Sequence, residues 1–201
     1  MKVVILTASP MKKVIDGRTF SGKCVTAFDI ESNKIVRLVG NEQGAPMENP
    51  FCNNYDPLDM YEITILKRCP LLCQTENVLS DFNTAKYLGK YAGSIREIRN
   101  LYLSNNFLRP SYMFDGLNLL TDISKYYHSI EIIMVDNLMI DGRKCSFEYN
   151  NIRFTNFSVT DDKYRNEQTP QNIGKAFIVV SIPTSDYNGY YYKFVASVFP
   201  L

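Results

Sequence analysis

Tryptophan is absent from the 201-residue chain, histidine occurs once (His128), and no apolar run is long enough to cross a membrane as a helix. A spanning helix needs roughly 18–20 consecutive apolar residues. A single imidazole excludes zinc helices of the HExxH type and His-rich metal triads. Neither sign of charge dominates, since 22 Lys and Arg face 21 Asp and Glu for a net +1. The molecule as a whole is therefore not pulled toward a polyanion or an anionic lipid surface. The five cysteines, Cys24, Cys52, Cys69, Cys73 and Cys145, are odd in number and irregularly spaced. That pattern suits reduced thiols in a cytoplasm rather than a disulfide framework.

What is abundant is apolar and aromatic: 45% hydrophobic residues, with 14 Tyr and 12 Phe. Such a share supports a packed core and excludes a disordered chain. The opening Met1-Lys2-Val3-Val4-Ile5-Leu6-Thr7-Ala8-Ser9 is shorter than a signal-peptide core and reads as a first strand. Residues 23–30 and 35–39, joined by the polar turn 31–34, read as a hairpin, and 60–66 alternates as a further strand. Between them, 40–57 is rich in Gly, Pro and Asn and reads as a long loop. Toward the C-terminus, 129–135 is a strand, and 145–149 and 152–157 flank Asn150-Asn151, a pair that tolerates the positive φ of tight hairpin turns. Residues 176–182 and 190–198 form the last pair, around the turn 185–189.

The middle differs. Apolar residues at Tyr87, Leu88, Tyr91, Ile95, Ile98, Leu101 and Tyr102 fall near helical spacing, predicting a helix over 83–108 and a second over 117–127. The predicted fold class is mainly β with a helical insert: a barrel over 1–82, a helical connector over 83–128, and a second barrel over 129–201. Charge is segregated along the chain. Residues 1–40 carry seven cations against three acids, 41–85 two against seven, and 86–110 five against one. Such blocks form either a phosphate-binding face or an ordinary solvated surface.

Four local motifs are incomplete. Gly17 to Cys24 approaches a phosphate-binding loop, but a thiol stands where the magnesium-binding hydroxyl belongs, and a strand-like segment follows instead of a helix. Ser9-Pro10-Met11-Lys12 has acyl-enzyme spacing without its partner motifs. Cys69 and Cys73 lack the second ligand pair of a structural zinc site. His128, beside Tyr126 and Tyr127, reads as a capping or surface residue rather than a general base. No metal, no cofactor and no catalytic residue is expected. The run Tyr190-Tyr191-Tyr192-Lys193-Phe194 alternates faces on a strand. Its outward rings either stack on bases or fill a second core.

Taken in order, several segments resemble the dual OB-containing domain family of bacterial proteins. They are Gly22-Lys23-Cys24-Val25, Ile35-Val36-Arg37-Leu38-Val39, Pro57-Leu58-Asp59-Met60, Gln74-Thr75-Glu76-Asn77, Thr160-Asp161-Asp162 and Tyr192-Lys193-Phe194-Val195-Ala196. The resemblance spans nearly the whole chain. It implies two OB-like barrels and a nucleic-acid-related role in bacterial conflict or defence systems, and it brings no catalytic residues with it. The resulting expectation is a non-enzymatic, cytoplasmic module that binds single-stranded or structured nucleic acid with little sequence selectivity. The candidate contacts are Lys12, Lys13, Arg18, Lys23, Arg37, Lys67 and Arg68 for phosphates, with Tyr191 and Lys193 on the aromatic run. The alternative is a scaffold that recruits a protein effector through a strand edge or aromatic patch.

Overall fold

The computed structural model describes residues 1–48, 54–106, 111–113 and 116–201. Its compact units are Met1–Phe107 and Leu108–Leu201. The boundary falls inside the segment expected to be a connector.

In the first unit, β1 (Lys2–Ile15), β2 (Arg18–Asp29), β3 (Lys34–Val39), β4 (Met47–Glu48), β5 (Asp59–Arg68) and β6 (Asn77–Lys90) form one sheet, followed by α1 (Ile95–Asn106). β1 pairs antiparallel with β2, and β2 with β3. β3 runs parallel to β6, which pairs back through β5 to β1. These pairings close a five-stranded ring, with β4 attached to β2. Period-two alternation builds its core: Val3 and Ile5, Val25 and Ala27, Val36 and Leu38, and Tyr61 and Ile63 all face inward. A register shift between Ile5 and Thr7 bends β1.

The second unit contains β7 (Leu119–Leu120), β8 (Ile130–Asp141), β9 (Lys144–Tyr149), β10 (Ile152–Val159), β11 (Gln171–Ser181), β12 (Tyr191–Tyr192) and β13 (Phe194–Pro200). β8, β9, β10, β13 and β11 close a barrel, again with one parallel contact, between β10 and β13. Both units thus follow the same path: three meandering strands, a parallel step to the last strand, and a return through the fourth to the first. This is the five-stranded Greek-key closure of an OB barrel. Phe147, Phe154 and Phe157 form an aromatic triad with ring centroids 5.1 to 5.7 Å apart. Asn150 and Asn151 both adopt positive φ in the β9–β10 turn, as the hairpin reading requires.

Two expectations are corrected. Residues 83–90 are the second half of β6, and the helix begins only at Ile95. Its start is a capping box: Ser94 Oγ accepts from the Glu97 amide at 3.3 Å, and Glu97 Oε2 from the Ser94 amide at 3.2 Å. Ile95, Ile98 and Tyr102 are its buried face. Residues 117–127 hold no helix; the short strand β7 pairs with β12, and an Asx turn follows, where Ser124 donates its amide to Asp122 Oδ1. Residues 10–22, to which the sequence reading assigns no element, are strand and turn. β1 and β2 continue past the barrel as a two-stranded arm, turned at Asp16 and Gly17, both at positive φ.

Candidate functional site

The arm gathers four of the predicted cations. Directly paired residues of an antiparallel ladder share a face. One face of the arm carries Lys12 beside Ser21 and Lys23 beside Pro10; the other carries Lys13 beside Phe20 and Arg18 beside Ile15. Lys12 and Arg18 are exposed and have no ion pair among the described residues. The Arg18 guanidinium lies 5.0 Å from the Phe20 ring centroid, so a cation and an aromatic face are presented together. Lys13 instead folds toward the barrel and donates to the carbonyls of Gln43 at 2.7 Å and Gly44 at 3.3 Å. Burial, then the nearby Arg37 guanidinium, lowers its pKa from the ordinary lysine value. Gly22 is required where the arm leaves the barrel, because a Cβ there would overlap the Met47 carbonyl of β4.

Lys67 and Arg68 end β5 and are exposed. Lys67 forms an ion pair with Glu42, and Arg68 reaches the Thr75 carbonyl at 3.5 Å. Gly44 ties this region to the arm: a Cβ built on it would lie 3.2 Å from Lys13 Nζ and 3.4 Å from a Leu71 methyl. The arm, the 40–46 loop and the β5–β6 connection therefore meet at one end of the first barrel. The structure brings Lys12, Lys13, Arg18, Lys23, Lys67 and Arg68 into that neighbourhood.

Arg37 and Lys193 do not belong on an exposed phosphate-binding face. Arg37 is 4% exposed, donates to Cys24 Sγ, and lies 3.8 Å from Glu76 Oε1. Burial opposes its charge, but Cys24, Glu76 and Cys73 outweigh burial and raise its pKa. Lys193 is 1% exposed and donates to the Leu117 carbonyl at 2.9 Å, tying together segments 76 residues apart. Tyr191 is half-buried in β12, opposite Leu120, and belongs to the second unit. The most exposed ring of that region is Tyr187, packed edge-on against Tyr192 with centroids 6.4 Å apart.

The motifs set aside on sequence take definite places. Residues 17–24 form the arm's turn and the start of β2, and the strand runs on to Asp29 with no helix after Lys23. Ser9 and Lys12 are both in β1, where residues three apart point to opposite faces. Burial pushes the Cys73 thiol up to about 11 and raises that of Cys69. Cys52 lies outside the described residues. His128 is buried, stacks on Tyr112, and places Nε2 3.2 Å from Glu131 Oε1. Glu131 also accepts from the Tyr112 amide and the Ser111 hydroxyl, so the cluster fastens residues 111–113 to β8.

The hollows among the described residues include one on each barrel. One, beside β5 and β6, gathers Asp29, Glu31 and Glu62 against Lys86 and the Met1 amino end, an acidic balance that disfavours phosphate. The other, about 310 Å³, is in the second unit and is lined by Asn137, Met139, Ser146, Glu148, Arg153 and Asn172 over Phe147. Sequence reasoning passed over these residues, because amides and hydroxyls scattered over four strands form no linear motif.

The model of the dual OB-containing domain matches residues 1–198. The chain belongs to the dual OB-containing domain family. Among curated proteins none matches it. Among solved structures, it is similar to a murine DNA-binding protein solved with double-stranded DNA bound, at 10% identity and a TM-score of 0.35, over 100% of this chain and 98% of that one. A likeness at that level fixes neither ligand nor topology. The double barrel of this dual OB-containing domain rests on its own strand pairings. Among the described residues no helix is long and apolar enough to cross a membrane.

Proposed function

We propose that this dual OB-containing domain is a non-enzymatic binding module that holds nucleic acid by its phosphates at the arm end of the first barrel. The observation that carries this reading is the arm itself. It projects Lys12 from one face and Arg18, over the Phe20 ring, from the other, with Lys23 at its base. The exposed Lys67 and Arg68 end β5 nearby, where Lys67 pairs with Glu42 next to the Gln43 carbonyl that Lys13 reaches. OB barrels bind oligonucleotides on the face of strands 2 and 3 and on the connections flanking it. Here the β3 part of that face is filled: Ile35, Arg37 and Val39 are buried, as are Val36 and Leu38, and α1 packs beside the strand. With β3 filled, the connections are the part of that binding region left to a ligand in the first barrel. Cations on a projecting arm neutralise phosphates without reading base edges, which makes the binding salt-dependent and weakly selective.

Fluorescence anisotropy of a labelled single-stranded oligonucleotide across a salt series tests this. The reading predicts micromolar or tighter binding at low salt that weakens steeply as salt rises. Absence of binding at low salt overturns it and leaves a protein effector as the partner to seek. A place in bacterial defence is part of the same proposal and is supported by the family resemblance alone.

A further inference from the structure

We propose that the hollow on the second barrel is a pocket for a single unstacked nucleobase. This deepens the nucleic-acid reading and rests on it. The two barrels share a strand order but treat equivalent surfaces oppositely. In the first, β3 is buried on both faces. In the second, the equivalent strand β10 exposes Arg153 and Thr155, and β9 leaves Ser146 and Glu148 half-open.

The hollow forms on this open surface from four strands: Asn137 and Met139 from β8, Ser146 and Glu148 from β9, Arg153 from β10, and Asn172 from β11. Arg153 and Glu148 are direct partners in the β9–β10 ladder, so a donor fork and an acceptor stand side by side. Asn137 has φ 52° at an irregularity between Asp136 and Met139, which takes its carboxamide out of ordinary strand alternation. Among the described residues, the side chains of Asn137, Asn172, Ser146 and Arg153 make no hydrogen bond or ion pair to one another or to neighbours.

These groups match the edge of a base. Carboxamides offer a donor and an acceptor in one plane, guanidinium offers two parallel donors, and a carboxylate accepts from an exocyclic amine. The exposed Met139 thioether supplies a polarisable contact for a π face. The volume, about 310 Å³, is at the small end of ligand pockets and suits one base rather than a stacked run. A sugar site would need an exposed ring face as a platform, but Phe147 is buried in the core triad, 1% exposed.

The test compares single-stranded oligomers of about 20 nucleotides with an oligomer of equal length whose bases are replaced by tetrahydrofuran spacers. The wild-type protein is expected to bind at least one base-bearing homopolymer about tenfold more tightly than the spacer oligomer at the same salt. Arg153→Ala and Asn172→Ala are expected to reduce that preference to about twofold or less while leaving the salt slope unchanged. Thermal melts confirm that both variants are folded, and Asn172→Asp provides a second, near-isosteric change at the same position. If the spacer oligomer binds as well as the homopolymers, or the variants keep the wild-type preference, the pocket is overturned while the phosphate-binding arm stands. If no oligomer binds, the pocket and the arm reading are overturned together.

Discussion

Arg37 and Glu76 hold each other through both backbone and side chain. The Arg37 amide donates to the Glu76 carbonyl at 3.0 Å, and the guanidinium lies 3.8 Å from the Glu76 carboxylate, with both side chains nearly sealed from solvent. This locks the β5–β6 connection onto β3 at the parallel step that closes the first barrel.

Removing one partner of a buried ion pair leaves a charge uncompensated. Arg37→Ala is therefore expected to lower unfolding stability by about 3–5 kcal/mol, read as a fall in the urea midpoint. Where the variant remains folded, the salt dependence of oligonucleotide binding should be unchanged. A reduced slope with unchanged stability would return Arg37 to the phosphate-binding set.

Charge reversal on the arm should do the opposite. Lys12→Glu, Arg18→Glu and Lys23→Glu lie on exposed or half-exposed ladder positions and are expected to leave the melting temperature within a few degrees. Each should reduce the slope of log K against log salt by about 0.7 for every phosphate of a single strand that is no longer neutralised. Weakening that differs sharply between oligonucleotide sequences would show base reading rather than phosphate neutralisation.

Asp161 gives a pH signature. Its carboxylate accepts from the Val198 and Lys163 amides at 2.9 Å each, pinning the turn after β10 to β13. Burial raises its pKa above the ordinary 3.8 despite those bonds. The folded state then holds this proton to higher pH than the unfolded chain, so this group's stabilising share falls as pH rises through the window above 3.8. Asp161→Asn should flatten that part of the stability–pH profile and cost about 1–3 kcal/mol at neutral pH, where one backbone donor loses its acceptor. Urea midpoints between mildly acidic and neutral pH measure both effects.

The thiols offer a check on the cores. Cys145 is pushed up to about 12 and Cys73 to about 11, both by burial, whereas Cys24 is half-exposed. In a Cys52→Ser background, iodoacetamide at mildly alkaline pH should alkylate Cys24 first and reach Cys73 and Cys145 only in denaturant. Rapid native-state labelling of Cys145 would contradict the second barrel's packing.

Some of this architecture was legible in the sequence and some was not, for identifiable reasons. The 145–157 hairpin was readable because one face of it is buried and Asn150-Asn151 separates its strands, and the 23–39 hairpin because two apolar runs flank the polar turn 31–34. Residues 83–90 misled because they lie mostly exposed at the end of β6, so no buried face imposes an alternating pattern, and Tyr87, Leu88 and Tyr91 fall on helical spacing by chance. The arm was hidden for the same reason: beyond Ser9 its strands have little core to face. Arg37 and Lys193 were assigned to the surface because burying a cation is costly without a partner. Their partners, Glu76 and the Leu117 carbonyl, come from remote parts of the chain.

Hydrogen–deuterium exchange of the chain with and without a saturating single-stranded oligonucleotide tests the central claim most directly. The account predicts slowed exchange in peptides covering residues 10–23, the arm of β1 and β2. Binding that leaves those peptides unchanged, with protection confined to other surfaces, would contradict it.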